Sequence, residues 1–468
     1  MNSQKRTTET RTLQKMELLG NASIPKALLA MGIPTMIGML VDAFYNLVDA
    51  YFVGGLGEIQ MGAISVVYPL GQVVVGLGLL FGNGAASYIS RLLGRDDKEN
   101  ADKVASTDLY SSVSLGAAII IISMVFLHPI LKLLGATDSI LPYAATYSRI
   151  YIVSCIFNVF NVTMNNIVTS EGSAKTTMCA LLMGAVLNIA LDPLFIYVFD
   201  LDVAGAAIAT AISQMVSTCV YLTYIVRKKS VFHFKIKDCT YTKKIMSEIL
   251  KIGIPTLVFQ ILTSVSISLT NNAAGNYGDS AIAGMGVVTR LISIVSLSVF
   301  GFIKGFQPIA GYSYGAKKFD RLREAIKTSI LWSTVFCVIF GIILALFPAA
   351  IVSRFTKGDT EMIRIGAASL RANGISIMLF GFCTVYSSLF LALGKGREGF
   401  ILGACRQGIC FIPIILLLPM FWGLNGILYA APIADVLSAI ITFCMAIPLH
   451  KKLNEMQKRV ADINTISD

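Results

Sequence analysis

The sequence predicts an all-α polytopic membrane protein, with twelve transmembrane helices in two pseudo-symmetric, parallel six-helix lobes. Three observations lead there. The 468 residues are 55% hydrophobic and only 14% charged, against about 25% charged in ordinary soluble domains. Apolar runs of membrane length recur along the whole chain. The second half repeats the first at a constant offset.

The first six spans are read at roughly 27–53, 61–88, 104–128, 140–168, 176–198 and 203–226. The second six are read at roughly 252–274, 281–307, 325–348, 362–391, 398–420 and 424–448. Lysine and arginine set their direction. Five precede or open the first span, through Lys26. The loops at 91–103, 169–175, 227–251, 315–327 and 392–397 carry four, one, eight, five and two, and the tail after 450 carries four. The alternate loops hold only Lys132, Arg354 and Lys357. Both termini are therefore expected on the cytoplasmic side of a bacterial inner membrane. The net charge of +11 is a topology signal and does not point to nucleic acid. The polar start lacks the apolar core and cleavage site of a signal peptide.

A shift of 221 residues lays "MGIPT" at 31–35 on "IGIPT" at 252–256. Gly54, Gly57, Gly84, Gly94 and Gly205 then meet Gly275, Gly278, Gly305, Gly315 and Gly426. Six spans per repeat give both halves the same orientation, a parallel repeat that suits alternating access about a central site. The expected organisation is a tail at 1–23, a first lobe at 24–227, a polar linker at 228–247, a second lobe at 248–450 and a tail at 451–468.

In "VDAFYNLVDAYFVGG" two acids, Asp42 and Asp49, interrupt the first span. A charge at a helix centre costs about 2.5–3.5 kcal/mol on insertion scales, so intramembrane acids are functional candidates facing a bundle interior or wet cavity. Seven residues is about two helical turns, so the two acids share nearly one face, with Tyr45 and Asn46 between them. The fifth span reads "LLMGAVLNIALDPLF" and puts Asn188 and Asp192 one turn apart. Pro193 removes a backbone hydrogen bond beside Asp192. Amide, carboxylate and freed carbonyls make an oxygen-rich site for a proton or for Na⁺. Thr210 of the sixth span is a further oxygen, although a hydroxyl there can equally bond its own helix. The repeat pairs Asp42, Asp49, Asn188 and Asp192 with Thr263, Thr270, Ile409 and Pro413, so cation coupling is assigned to the first lobe. The second lobe carries Arg290, Arg371 and Arg406 deep in its spans, with Asp435 as a partner for one of them. Lys304 is read as snorkelling from a span end. Pro34, two turns before Asp42, weakens the first helix and lets it bend.

The chain resembles the multidrug and toxic compound extrusion (MATE) transporters, and more narrowly the bacterial DinF-like and MepA-type branch. The resemblance rests on Pro34 with "YNLVDAYFVGGLG", on "GNGAASYISRLLGRDDKENA", on "LNIALDPLFI" and on "GFQPIAGYSYGAKKFDRLREA". It implies a V of two lobes and export of amphipathic, often cationic drugs against inward H⁺ or Na⁺. It carries the coupling site over as Asp49, Asn188, Asp192 and Thr210, the positions of a possible Na⁺. Tyr45 and Asn165 match cavity positions. Asp42 departs from the pattern and is read as a second acid for coupling or for a cationic drug, beside Asn46 on the cavity wall.

Other classes fit less well. A lipid-linked saccharide flippase of the same superfamily is the alternative, which the acidic first lobe disfavours. An ATP-driven pump would need a phosphate-binding G-x-x-x-x-G-K-[ST], which "GKGREG" at 394–399 fails. His128, His233 and His450 are scattered, so an enzyme is not expected. Nine cysteines form no CxxC pair. The expected partners are small-molecule drugs or organic cations and membrane lipid, without nucleic acid, ATP or cofactor, and the expected state is a monomer.

Overall fold

Twelve helices among the described residues are long and apolar enough to cross a membrane. The computed structural model describes residues 2–355 and 360–467 and has no strand among them. Lys357, one of the far-side basic residues, lies outside the described residues. The first half comprises α1 (Asn2–Gly20), α2 (Ile24–Gly54), α3 (Glu58–Gly94), α4 (Lys98–Val125), α5 (Leu127–Leu133), α6 (Leu141–Ser170), α7 (Ala174–Pro193) and α8 (Asp202–Val226). The second comprises α9 (Lys243–Gly275), α10 (Asp279–Gly315), α11 (Phe319–Leu346), α12 (Pro348–Val352), α13 (Thr360–Ser376), α14 (Phe380–Ala392), α15 (Gly396–Ala404), α16 (Phe411–Trp422) and α17 (Leu424–Ser467).

Each expected span falls, to within a residue or two, inside one of these helices or consecutive ones. The helices overrun the apolar runs mostly on the side of the termini, as at α3, α9 and α10. Hydrocarbon rewards about 20 apolar residues; beyond it the helix continues as long as its face is packed on a neighbour. Val226, Met420 and Phe421 are 78%, 79% and 79% exposed, a degree that suits lipid contact and not water.

The repeat is visible in the backbone. Gly57 and Gly278 open α3 and α10 with positive φ, 137° and 92°, a region that favours glycine. Pro34 and Pro255 lie inside α2 and α9. The fifth span of each lobe carries a π-helical turn, Leu194–Val198 after α7 and Cys405–Ile409 after α15. Such turns arise where the regular ladder is broken and recur at functional sites. In the first lobe Pro193 supplies the break.

The lobes meet on the side of the termini. α2 packs on α10, and α3 packs on both α9 and α10. The approach is backbone to backbone: a Cβ on Gly94 would collide with the Tyr312 carbonyl oxygen, and one on Gly315 with the Arg91 carbonyl oxygen. Arg91 and Tyr312 are themselves 221 residues apart, so the crossing has the symmetry of the repeat. Arg91 Nη2 reaches Glu248 Oε2 at 2.8 Å across the lobes, and Ser87 donates to the Leu391 carbonyl at 2.5 Å.

The tail preceding the first span forms α1, which touches both lobes. Lys15 Nζ pairs with Glu171 Oε1 at 3.1 Å and donates to Tyr224 Oη at 2.6 Å and the Lys229 carbonyl at 2.7 Å. On the second lobe Arg321 donates to the Leu18, Leu19 and Ala22 carbonyls and Lys318 to the Gly20 carbonyl. The Leu18, Leu19 and Gly20 carbonyls close α1, where cations are favoured.

Candidate coupling-ion site and family

α7 holds Asn188 and Asp192 on one face, and Asn188 Nδ2 donates to Asp192 Oδ1 at 3.2 Å. Both side chains are buried, at 1% and 0% exposure. α2 packs along α7 and brings the Asp49 carboxyl within reach of the Asp192 carboxyl. Two ionised carboxylates have no donor between them, so a direct bond across the pair requires a proton. Two carboxyl groups held this close in one pocket do not readily ionise together unless a proton or a cation joins them. Asp49 Oδ1, Asp192 Oδ2 and Asn188 Oδ1 are buried with no protein donor. Three unpartnered oxygens from two helices are also the donor set a hard cation takes.

Thr210 is half-buried in the third turn of α8. No hydrogen bond from its hydroxyl to its own helix is found among the described residues, so it does not fill the structural role open to it from sequence. Tyr45 lies within electrostatic reach of Asp42, Asp49 and Tyr151. Asp42 is exposed in a turn of α2 nearer the lobe closure, within electrostatic reach of Lys304 of the opposite lobe. Asn46 is exposed and donates to the Asp42 carbonyl at 2.7 Å. Pro34 is buried, and beside it Thr35 Oγ1 donates to the Met31 carbonyl at 2.8 Å.

Two residues join the site that the sequence did not single out. Tyr147 and Tyr151 of α6 stack at 5.6 Å, with ring planes 16° apart, and Tyr147 is within electrostatic reach of Asp49 and Asp192. Their i, i+4 spacing was the available signal, but tyrosines in a span are ordinary.

Asn165 stands apart from the acid pair, five residues from the terminal-side end of α6. It donates to Tyr221 Oη at 3.2 Å and accepts from Lys304 Nζ. Lys304 corrects an expectation. It does not snorkel from a helix end; it lies eleven residues inside α10 and bridges the lobes, because an amide oxygen there satisfies its ammonium. Arg406, in the π turn of the second lobe, pairs with Asp435 at 2.7 Å and stacks 4.2 Å from the Phe380 ring centroid. Ser376 donates to the other Asp435 oxygen at 2.8 Å. Arg290 and Arg371 are exposed.

An acid pair inside one lobe of a two-lobed, twelve-span bundle defines a secondary active transporter of small molecules. The chain belongs to the MatE family, whose model matches residues 34–194 and 255–417, one stretch per lobe. It falls with the MepA-like branch: it is 31% identical over 429 residues to the multidrug export protein MepA of Staphylococcus aureus (strain MSSA476), covering 92% of this chain and 94% of that one. A crystal structure of MATE in complex with MaL6 superposes with a TM-score of 0.89 at 26% identity, over 95% of this chain and 99% of that one. The outward-facing conformation of a multidrug resistance MATE family transporter of the MOP superfamily gives 0.88 at 26%, over 95% and 98%.

Proposed function

We propose that the protein exports amphipathic or cationic drugs in exchange for inward H⁺ or Na⁺, with both termini in the cytoplasm and the lobes closed on that side. The carboxyl–carboxyl contact between Asp49 and Asp192 carries this reading. It joins α2 to α7 only while a proton, or a cation on the three unpartnered oxygens, neutralises the pair. Losing that ion leaves two buried like charges in reach of each other, at a cost of several kcal/mol by order of magnitude, and α2 moves away. Asp42, Asn46 and Tyr45 lie on the same helix and offer a carboxylate, an amide and an aromatic ring to a cationic, apolar guest. Ion occupancy and drug occupancy thus bias one helix in opposite directions, which is what coupled antiport requires. Pro34 is the point at which α2 bends.

The flippase alternative needs a basic cavity for a pyrophosphate. Arg406 is already neutralised by Asp435, which leaves the acidic character of the first lobe uncompensated by it. Ethidium efflux from proteoliposomes, with the pH gradient and the Na⁺ gradient imposed separately, tests the proposal. Efflux driven by one gradient is expected; efflux insensitive to both overturns it.

A further inference from the structure

A second site lies outside the acid pair, on the lipid-facing side of the first lobe. Between the terminal-side ends of α7 and α8 lies a slot of about 490 Å³. One stripe of α7 lines it: Lys175, Cys179 and Met183, spaced by four. The facing stripe of α8 includes Cys219 and ends in Arg227, with Lys229 following. The slot is therefore apolar along its length and cationic at one end. Cys179, Met183 and Cys219 are exposed, and that exposure at a membrane depth is to acyl chains.

The three cations are free. No ion pair or hydrogen bond of the Lys175, Arg227 or Lys229 side chains is found among the described residues. The nearby acid, Glu171, does not cancel them. It is fully buried and engaged by Lys15 at 3.1 Å, by Ser230 Oγ at 2.9 Å and by the Val231 N–H at 2.7 Å. Lys175 also stands in the first turn of α7, where the helix N-terminus adds positive potential. Tyr224 forms the floor of the slot and hydrogen-bonds to Glu171 and Ser173.

We infer that this slot binds an anionic phospholipid, with the phosphate on Lys175, Arg227 and Lys229 and an acyl chain along Cys179, Met183 and Cys219. Basic pockets between spanning helices at a membrane face recognise acidic headgroups in this way, and the two-part chemistry of the slot matches the two-part chemistry of that ligand.

Native mass spectrometry of the purified full chain, titrated with phosphatidylglycerol or phosphatidylcholine, tests this. Wild type is expected to retain phosphatidylglycerol and not phosphatidylcholine. Each of Lys175→Gln, Arg227→Gln and Lys229→Gln should weaken retention about fivefold, and the triple variant about a hundredfold. Cys219→Trp, which fills the slot and leaves all three charges, should lose the lipid too. Equal retention of the two lipids, an unchanged triple variant, an unchanged Cys219→Trp, or displacement of the lipid by inorganic phosphate at equal concentration overturns the assignment. Should the triple variant fail to fold, the Cys219→Trp arm still decides.

Discussion

Asp49 on α2 and Asp192 on α7 hold their carboxyl groups within reach of each other, with Asn188 donating to Asp192 from one turn away. Each acid supplies what the other needs, provided that one small cation sits between them. Replacing either by asparagine keeps the size and removes the charge. Asp49→Asn and Asp192→Asn should each fold normally and lose gradient-driven efflux by at least about tenfold, the scale on which a missing coupling group acts. Vesicle efflux with equal protein incorporation checks this.

Pro34 is buried in α2, two turns before Asp42. Alanine there restores the missing backbone donor and stiffens the helix. Pro34→Ala should leave thermal stability equal or slightly higher and slow turnover. A melting curve beside an efflux rate separates the two effects, and unchanged turnover counts against bending at this point.

The lobes close where Gly94 faces the Tyr312 carbonyl and Gly315 faces the Arg91 carbonyl. Gly315→Val overpacks that crossing, at a cost of about 1–3 kcal/mol. It should shift the population towards lobes separated on the terminal side. Gly54→Ala, whose added carbon would meet nothing within 4 Å, is the control. Spin labels at positions 98 and 317 read the distance between the lobes.

Arg406 and Asp435 form a pair shielded by Phe380 and Ser376. Removing one partner strands the other, which costs about 3–5 kcal/mol for a buried pair. Asp435 is 8% exposed, so the upper part of that range applies less than the lower. Arg406→Ala should lower the melting temperature more than the Arg406→Ala, Asp435→Ala double variant. Both should keep their response to the coupling ion, because the pair lies in the other lobe.

Much of this architecture was legible in the residues. Hydrocarbon permits few backbone solutions, so twelve apolar runs became twelve spans, and the 221-residue repeat became two lobes with matching proline and glycine positions. Asp49 and Asp192 stand out in the sequence because a carboxylate in a span needs a reason. What escaped depended on contacts between distant segments. α1 is held by Glu171 and Arg321, which lie 156 and more residues beyond Lys15, and nothing local to it announces a docked helix. Lys304 looked like a span-end lysine until Asn165, 139 residues away, supplied its partner. Tyr147 and Tyr151 are unremarkable in sequence and become part of the site only because α6 faces the acid pair.

The central claim is that the Asp49–Asp192 pair carries the ion that drug binding displaces. Adding ethidium to the purified protein in weakly buffered solution, with a pH dye and with ²²Na⁺ equilibrated beforehand, reads that displacement directly. Wild type should release a proton or Na⁺ as drug binds, and Asp49→Asn and Asp192→Asn should release neither. Release from either variant equal to that of wild type contradicts the account.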